Sequence, residues 1–447
     1  MISSMIAVAA MALAAPPEVA PRALIKDCAA QVSAERLRAD VDRLASFGTR
    51  HSLSDGASPT RGIGAARAWI RGELERAGAP AGGRMSVEIE EFDVPGGRRI
   101  PKGGAHLANV VGVLRGTAVG PLERRVYIVG HYDSRNAGEM DATGDAPGAN
   151  DDASGTAAVI EAARVLCRQP AFPATIVFLA TSGEEQGLLG AQYHAAQASA
   201  RNETIIGVLS NDIIGDPALE TGGNAGDVRV FSEGLARNPS AERLAELRLN
   251  SAESDSPSRE LARYVVETGA LGEFAVRPRM VFRPDRFMRG GDHLAFNEAG
   301  FAAVRFTSSS EVYARQHANV TEKDGRRVGD LPEFVDAGYL AGVTRLNVAT
   351  IARLAMAPPP PLNVRIVTTE LGNSTMLRWD FVPDPRSAGF EVVWRATTEP
   401  TWTGSKDVGL SYQATLGMSK DDLFFGVRSV TVDGFRSPVV FAMSAKK

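Results

Sequence analysis

Cysteine is scarce in this chain: 447 residues carry two, Cys28 and Cys167. Neither belongs to a CxxC pair, which excludes a cysteine-based zinc site. Cys167 falls at helical spacing in EAARVLC, the pattern of a buried free thiol, and a bridge to Cys28 is the alternative for an exported protein. An excess of positive charge is missing too. Lys and Arg number 49 against 53 Asp and Glu, a net charge of −4, so nothing argues for nucleic acid or an anionic membrane as partner. Past the N-terminus no apolar run is long enough to span a bilayer. Internal repeats and long low-complexity tracts are absent as well. What remains, 44% apolar and 23% charged residues, is ordinary for a soluble globular protein. The length exceeds one typical core, and two domains are expected.

Met1–Ala15 (MISSMIAVAAMALAA) is an apolar run ahead of PPEVAP, and Ala12-Leu13-Ala14 fits a small-residue cleavage site. Its n-region lacks Lys and Arg. Residues 1–20 read as a secretory signal peptide, making the protein periplasmic or extracellular. Residues 21–356 read as the main domain and 357–361 (APPPP) as a linker. Residues 362–447 hold short β-type runs separated by turn residues, among them TMLRWDFV, GFEVVWRATT and LFFGVRSVTVDG, which suggests a β-sandwich.

The main domain is organised around residues 125–190. Two apolar runs, Tyr127–Val129 and Thr175–Ala180, and a third, Ile205–Leu209, alternate with helical patterns, which indicates α/β units and a mostly parallel sheet. SVEIEEFDV alternates as a half-exposed strand, and HLANVVGVLRG reads as a more central one. Helices are expected at 33–47, capped by Ser33, at 61–77, and after a Ser256 or Ser258 cap. Residues 333–354 read as a long amphipathic helix covering the sheet.

Function in such sheets collects past the carboxyl ends of the strands. His131 and Asp133 stand past the first run, Glu184 and Glu185 past the second, and Asp212 past the third. Asp151 and Asp152 sit in a turn rich in Gly, Ser and Ala. Zinc accepts histidine nitrogen and carboxylate oxygen, and paired metals ~3.5–4 Å apart share a carboxylate. The floor of a two-zinc hydrolase site is the reading. His51 is expected on the surface or in loop packing, His106 away from the metal-bearing ends, His194 in a structural role and Asp216 in a turn. Arg283, Arg286 and Arg289 read as solvated loop charges, with a clamp for a substrate carboxylate as the alternative.

GHYDS, GANDDASG, TSGEEQGLLG, LSNDIIGD, GGDHLAF and YARQHANVTEKD, in this order, resemble the co-catalytic zinc aminopeptidase family, which includes bacterial leucyl aminopeptidases, aminopeptidase Y and the glutamate carboxypeptidase II group. The resemblance spans about residues 30–355 and implies the zinc exopeptidase fold, a mostly parallel central sheet flanked by helices, with two Zn2+ ions. It implies that His131 and Asp212 hold one zinc, Glu185 and His317 the other, and that Asp151 bridges them through a cis bond to Asp152. Asp133, two residues past His131 on one strand face, supports the imidazole. Asp152 supports the site, and Asn150 is free to cap the following helix. Glu184 is implied as general base, and Tyr313 as hydrogen-bond donor to the tetrahedral oxyanion. His293 is the rival of His317 and is expected to support the site.

Three ligand carboxylates against two Zn2+ leave one positive charge, which a bridging hydroxide neutralises. The expected substrate is a peptide with a free N-terminus. Rival readings are a carboxypeptidase or dipeptidase of the same family, a glutaminyl cyclase with one zinc, and a non-catalytic receptor module. The intact NDDASG run counts against the cyclase, and the complete ligand set against the receptor. In the tail, Trp379, Phe390 and FFGVRSVTVDGFRSP resemble a fibronectin type III domain, although Phe424 and Phe425 stand where that family has its corner tyrosine. A spacer and a module binding a surface or polymer are the two roles considered for it.

Overall fold

The computed structural model describes residues 18–369 and 372–444. Residues 1–17, which carry the signal-peptide expectation, lie outside them. The chain separates into two compact units, one of Arg22–Met356 and one that contains Ala357–Lys447.

The larger unit is an α/β layer structure. It holds α1 (Val19–Gln31) from Arg22 onward, then α2 (Ala34–Ala45) and α3 (Gly62–Gly78). Ser33 caps α2 by accepting the Arg36 N–H. Then come β1 (Met85–Val94), β2 (Ala105–Leu114), β3 (Arg125–His131), α4 (Ala153–Leu166), β4 (Thr175–Thr181), α5 (Leu189–Ala200), β5 (Ile205–Asn211) and β6 (Asp227–Phe231). α6 (Ala241–Leu249), α7 (Pro257–Leu271), β7 (Arg277–Val281), α8 (His293–Glu298) and β8 (Ala303–Ser308) follow. A hairpin of β9 (Thr321–Lys323) and β10 (Arg326–Val328) leads to α9 (Ala337–Met356).

Eight strands form one sheet in the order β1-β2-β4-β3-β5-β8-β6-β7. β4, β3, β5 and β8 run parallel. β2 joins β4 and β6 joins β8 antiparallel. Alternation in β3 shows why both faces are covered. Val126 and Ile128 pack with residues of α2, α3, α4, α7 and α9, whereas Tyr127 and Val129 pack with Ala191, Ala195 and Phe296 of α5 and α8. Such central strands read as continuous apolar runs, while β1 at the edge alternates between half-buried and exposed positions. The parallel order brings the carboxyl ends of β3, β4 and β5 side by side.

Two expectations for the last helix need correction. The last helix starts at Ala337, after a single tight turn at Pro332–Phe334. It is buried on nearly all sides rather than amphipathic: neighbouring helices cover its outer face, and its internal Arg353 stacks over Tyr264. α1 and α6 had no expectation at all. Of the two places expected for it, His51 takes the loop packing and not the surface. It is fully buried, its Nδ1 accepting the Leu53 N–H and its Nε2 lying 3.2 Å from the Glu139 carbonyl.

Cys28 and Cys167 are both free and buried, and burial pushes each thiol up to about 12.

The smaller unit is a β-sandwich. Its strands are β11 (Leu362–Ile366), β12 (Thr375–Asp380), β13 (Ser387–Ala396), β14 (Gly404–Asp407), β15 (Gln413–Leu416), β16 (Leu423–Thr431), β17 (Val440–Phe441) and β18 (Met443–Ser444). They form two four-stranded sheets, β15-β12-β11-β18 and β14-β13-β16-β17. Val364, Leu377 and Trp379 of one sheet meet Phe390, Val392, Phe425 and Val427 of the other. Phe424 points elsewhere: its ring lies edge-on to Phe441 and under the Arg395 guanidinium.

Candidate metal centre

His131 is the last residue of β3 and only 1% exposed. Its Nδ1 lies 3.2 Å from the Asp133 carbonyl oxygen. A carbonyl only accepts, so Nδ1 carries the ring proton and Nε2 offers a lone pair. That Nε2 is buried without a hydrogen-bond partner. It stands 3.2 Å from Asp151 Oδ1 and 3.9 Å from Asp212 Oδ1. The other oxygen of Asp151 is 3.0 Å from His317 Nε2, which is 3.1 Å from Glu185 Oε1. One carboxylate therefore faces both imidazoles.

Local structure explains how each side chain gets there. The Asp151–Asp152 bond is cis. Asp152 caps α4 by accepting the Gly155 N–H, and its second oxygen accepts the His131 N–H. The cap is thus Asp152 rather than Asn150, whose Oδ1 instead accepts the Gly215 N–H. Gly155 has no room for a side chain: a Cβ there would stand 2.2 Å from the Asn211 carbonyl. Asp330 accepts the N–H groups of both Asn150 and Asp151. Gly183, at φ +79°, turns the chain after β4. Asp133 then accepts the N–H groups of Glu184 and Glu185 and the Ser52 hydroxyl. Its carboxylate also lies 3.5 Å from His131 Nδ1. Asp133 therefore fixes the two-glutamate turn as well as the histidine.

Two groups of three donors result, His131 with Glu184 and Asp212, and Asp151 with Glu185 and His317. Within each group the ligand atoms lie within 4.8 Å of one another. Besides His131 Nε2, Asp212 Oδ1 and Glu185 Oε1 are buried without hydrogen-bond partners. A bare nitrogen lone pair and bare carboxylate oxygens buried together are costly unless a cation completes them. Nitrogen and oxygen donors of this kind suit zinc. Two metal ions fit the residues present.

Burial, with Asp212, Glu185 and Asp292 nearby, holds the Glu184 carboxyl well above the usual range. Burial also pushes Asp151 up, but its contacts with His131 and His317 outweigh that and leave it well below. His293 belongs to neither group of donors; its Nε2 lies 2.7 Å from the Pro284 carbonyl and 3.7 Å from Asp285. His194 lies 2.9 Å from Glu90 and edge-on to Tyr127, and exposed His106 pairs with Asp93. Asp216 is bound to Arg315. Tyr313 sits beyond β8 and is 55% exposed.

Arg286 departs from its expected solvation: it is buried between Asp285 and Glu311. Arg289 reaches Gln316, and Arg283 stacks on Phe287. Sequence reasoning missed two other arginines. Arg305 is fully buried on β8 with Asp212 Oδ2 at 3.0 Å and Asp285 at 3.1 Å. Arg135 touches Glu185 and His317. A lone arginine inside the apolar run FAAVRFT was the signal for the first; nothing in composition marked the second.

A sheet whose adjacent strand ends enclose paired histidines and carboxylates defines a metallohydrolase class, and comparisons narrow it. Residues 109–329 match Peptidase family M28. The Leptosphaeria maculans protein named "Probable zinc metalloprotease" is 43% identical over 425 residues, covering 94% of this chain and 97% of its own. The chain belongs to peptidase family M28 and is a zinc metalloprotease by kinship. Among solved structures, the LapA aminopeptidase of Legionella pneumophila is similar with a TM-score of 0.52 at 18% identity, covering 78% of this chain and 79% of its own. The glutaminyl cyclase of Fimbriiglobus ruber is similar at 0.50 and 19%, covering 72% and 95%. These likenesses speak to the fold alone.

Proposed function

We propose that the protein is an aminopeptidase with two zinc ions, held by His131 and Asp212, by Glu185 and His317, and by Asp151 between them. The observation that carries this reading is the Asp151 carboxylate, with one oxygen 3.2 Å from His131 and the other 3.0 Å from His317. When bound, the ions supply polarisation of the peptide carbonyl and a water molecule acidic enough to react near neutral pH. Glu184 then works as a proton carrier. Its carboxylate accepts the proton of the attacking water and returns it to the leaving amine. Asp133 keeps Glu184 and Glu185 pointing apart through their backbone N–H groups. The surplus of carboxylates favours a substrate's free α-ammonium group. Tyr313 is proposed as the donor to the developing oxyanion, reached by the segment that also carries His317.

The carboxypeptidase reading loses its strongest support, because Arg286 is already engaged by Asp285 and Glu311. Export is proposed from the apolar N-terminal run, and N-terminal sequencing of the mature protein tests it. The tail is proposed as a fibronectin type III-like module. The test of the enzyme is hydrolysis of aminoacyl anilides against N-blocked dipeptides, with Glu184→Gln as control. We expect anilide turnover, reduced about 10²–10⁴-fold in Glu184→Gln with two zinc ions retained. Near-normal turnover of that variant, or preference for the blocked dipeptide, refutes the assignment.

A further inference from the structure

The two imidazoles are prepared differently. His131 already presents a bare Nε2, because its Nδ1 donates to a carbonyl. His317 is met from behind by a guanidinium: Arg135 Nη2 is 2.5 Å from its Nδ1. Arginine has donors and no acceptor, so Nδ1 must supply the lone pair. In the neutral ring the proton then sits on Nε2, the atom 3.0 Å from Asp151 and 3.1 Å from Glu185. That tautomer has no lone pair on Nε2 and cannot bind a metal through it. To do so the ring must carry its proton on Nδ1, where an Arg135 N–H already stands.

The same guanidinium neutralises the second partner. Arg135 Nε donates to Glu185 Oε2 at 2.8 Å, and its side chain is only 12% exposed. Arg135 Nη1 reaches the Asn136 carbonyl at 3.2 Å. A fixed positive charge on Glu185 opposes a cation entering beside it. The His131 half differs here. Arg305 also pairs with a carboxylate, Asp212, but it touches neither nitrogen of His131.

Building on the two-zinc reading, we propose that Arg135 is a stand-in cation. It holds Glu185 and His317 in place while the triad is metal-free, and it must leave His317 Nδ1 when a metal enters. The two halves therefore fill in order, the His131 half first and the Asp151–Glu185–His317 half second and more weakly. Arg135 is a positioning residue that sets the occupancy of the second half.

The test is zinc titration of the metal-free full chain, by calorimetry with chelator competition. The variants are Arg135→Gln and Arg135→Met, with His317→Ala marking the second step. The expected result is two steps in the wild type. The weaker one is tightened about tenfold or more in both arginine variants, and the stronger one is unchanged. Ring-nitrogen NMR of the wild-type chain gives a second readout: zinc should move the His317 proton from Nε2 to Nδ1. Two zinc ions per chain with an unchanged or weakened second step in both variants overturns the role of Arg135 and leaves the two-zinc reading intact. One zinc per chain, indifferent to His317→Ala, overturns both.

Discussion

The two halves of the centre are built from different material. His131 and Asp212 stand at the ends of adjacent parallel strands, 1% and 4% exposed; the His131 N–H is bound by the α4 cap Asp152 and the Asp212 N–H by the Phe306 carbonyl of β8. His317 belongs to the irregular stretch between β8 and β9, sits at φ +51° and is 17% exposed at its side chain. One half is fixed by secondary structure, the other by side-chain contacts to Asp151, Glu185 and Arg135. Asp151, on the turn that opens α4, joins them. On the proposed two-zinc reading, a rigid half and an adaptable half suit a site that keeps one metal while admitting substrate at the other.

That contrast can be broken by substitution. Asp151→Ala removes the one carboxylate among the described residues that faces both histidines, so peptidase activity should fall to background and both zinc ions should be lost; elemental analysis with an anilide assay checks this. Retention of one full zinc equivalent would mean that the halves are independent. Arg305→Met should come next, because it removes the guanidinium beside the buried Asp212 carboxylate, while Asp285 keeps Arg286. Breaking a buried pair in this way costs about 3–5 kcal/mol, read as a lowered midpoint in chemical denaturation. His317→Ala should release one zinc and leave the His131 half loaded, a smaller loss than His131→Ala produces. Equal losses from the two would erase the distinction between the halves.

The smallest effect lies away from the centre. Burial, reinforced by Glu298, raises Glu233 from 4.5 to about 7. The folded chain therefore binds this proton more tightly than the unfolded one, so stability falls as pH rises from about 4.5 toward about 7. Glu233→Gln should flatten that part of the profile, seen as melting temperatures that change less between pH 5 and 7.5. An unchanged slope would assign the dependence elsewhere.

The same contrast governs what could be read from sequence. β3, β4 and β5 are short apolar runs ending in His131, Glu184–Glu185 and Asp212, so period and strand-end logic were enough to bring those residues together. His317 carries no such periodicity, and only its motif neighbourhood separated it from His293. The buried arginines were harder. Arg286 lies among turn residues and reads as solvated until Asp285 and Glu311 close over it. Arg135 looks like any residue after a strand. α9 reads as one-sided because its second cover comes from helices distant in sequence, and surface and loop packing stay open for His51 until its loop folds under Gln186 and Glu139. Long-range polar pairing leaves little local pattern.

The central claim is two cations on either side of Asp151. Anomalous diffraction at the zinc edge from crystals grown with zinc tests it most directly. Two peaks about 3.5–4 Å apart, one beside His131 and Asp212 and the other beside Glu185 and His317, are the predicted result. A single peak at full zinc loading, or a pair lying away from Asp151, would contradict it.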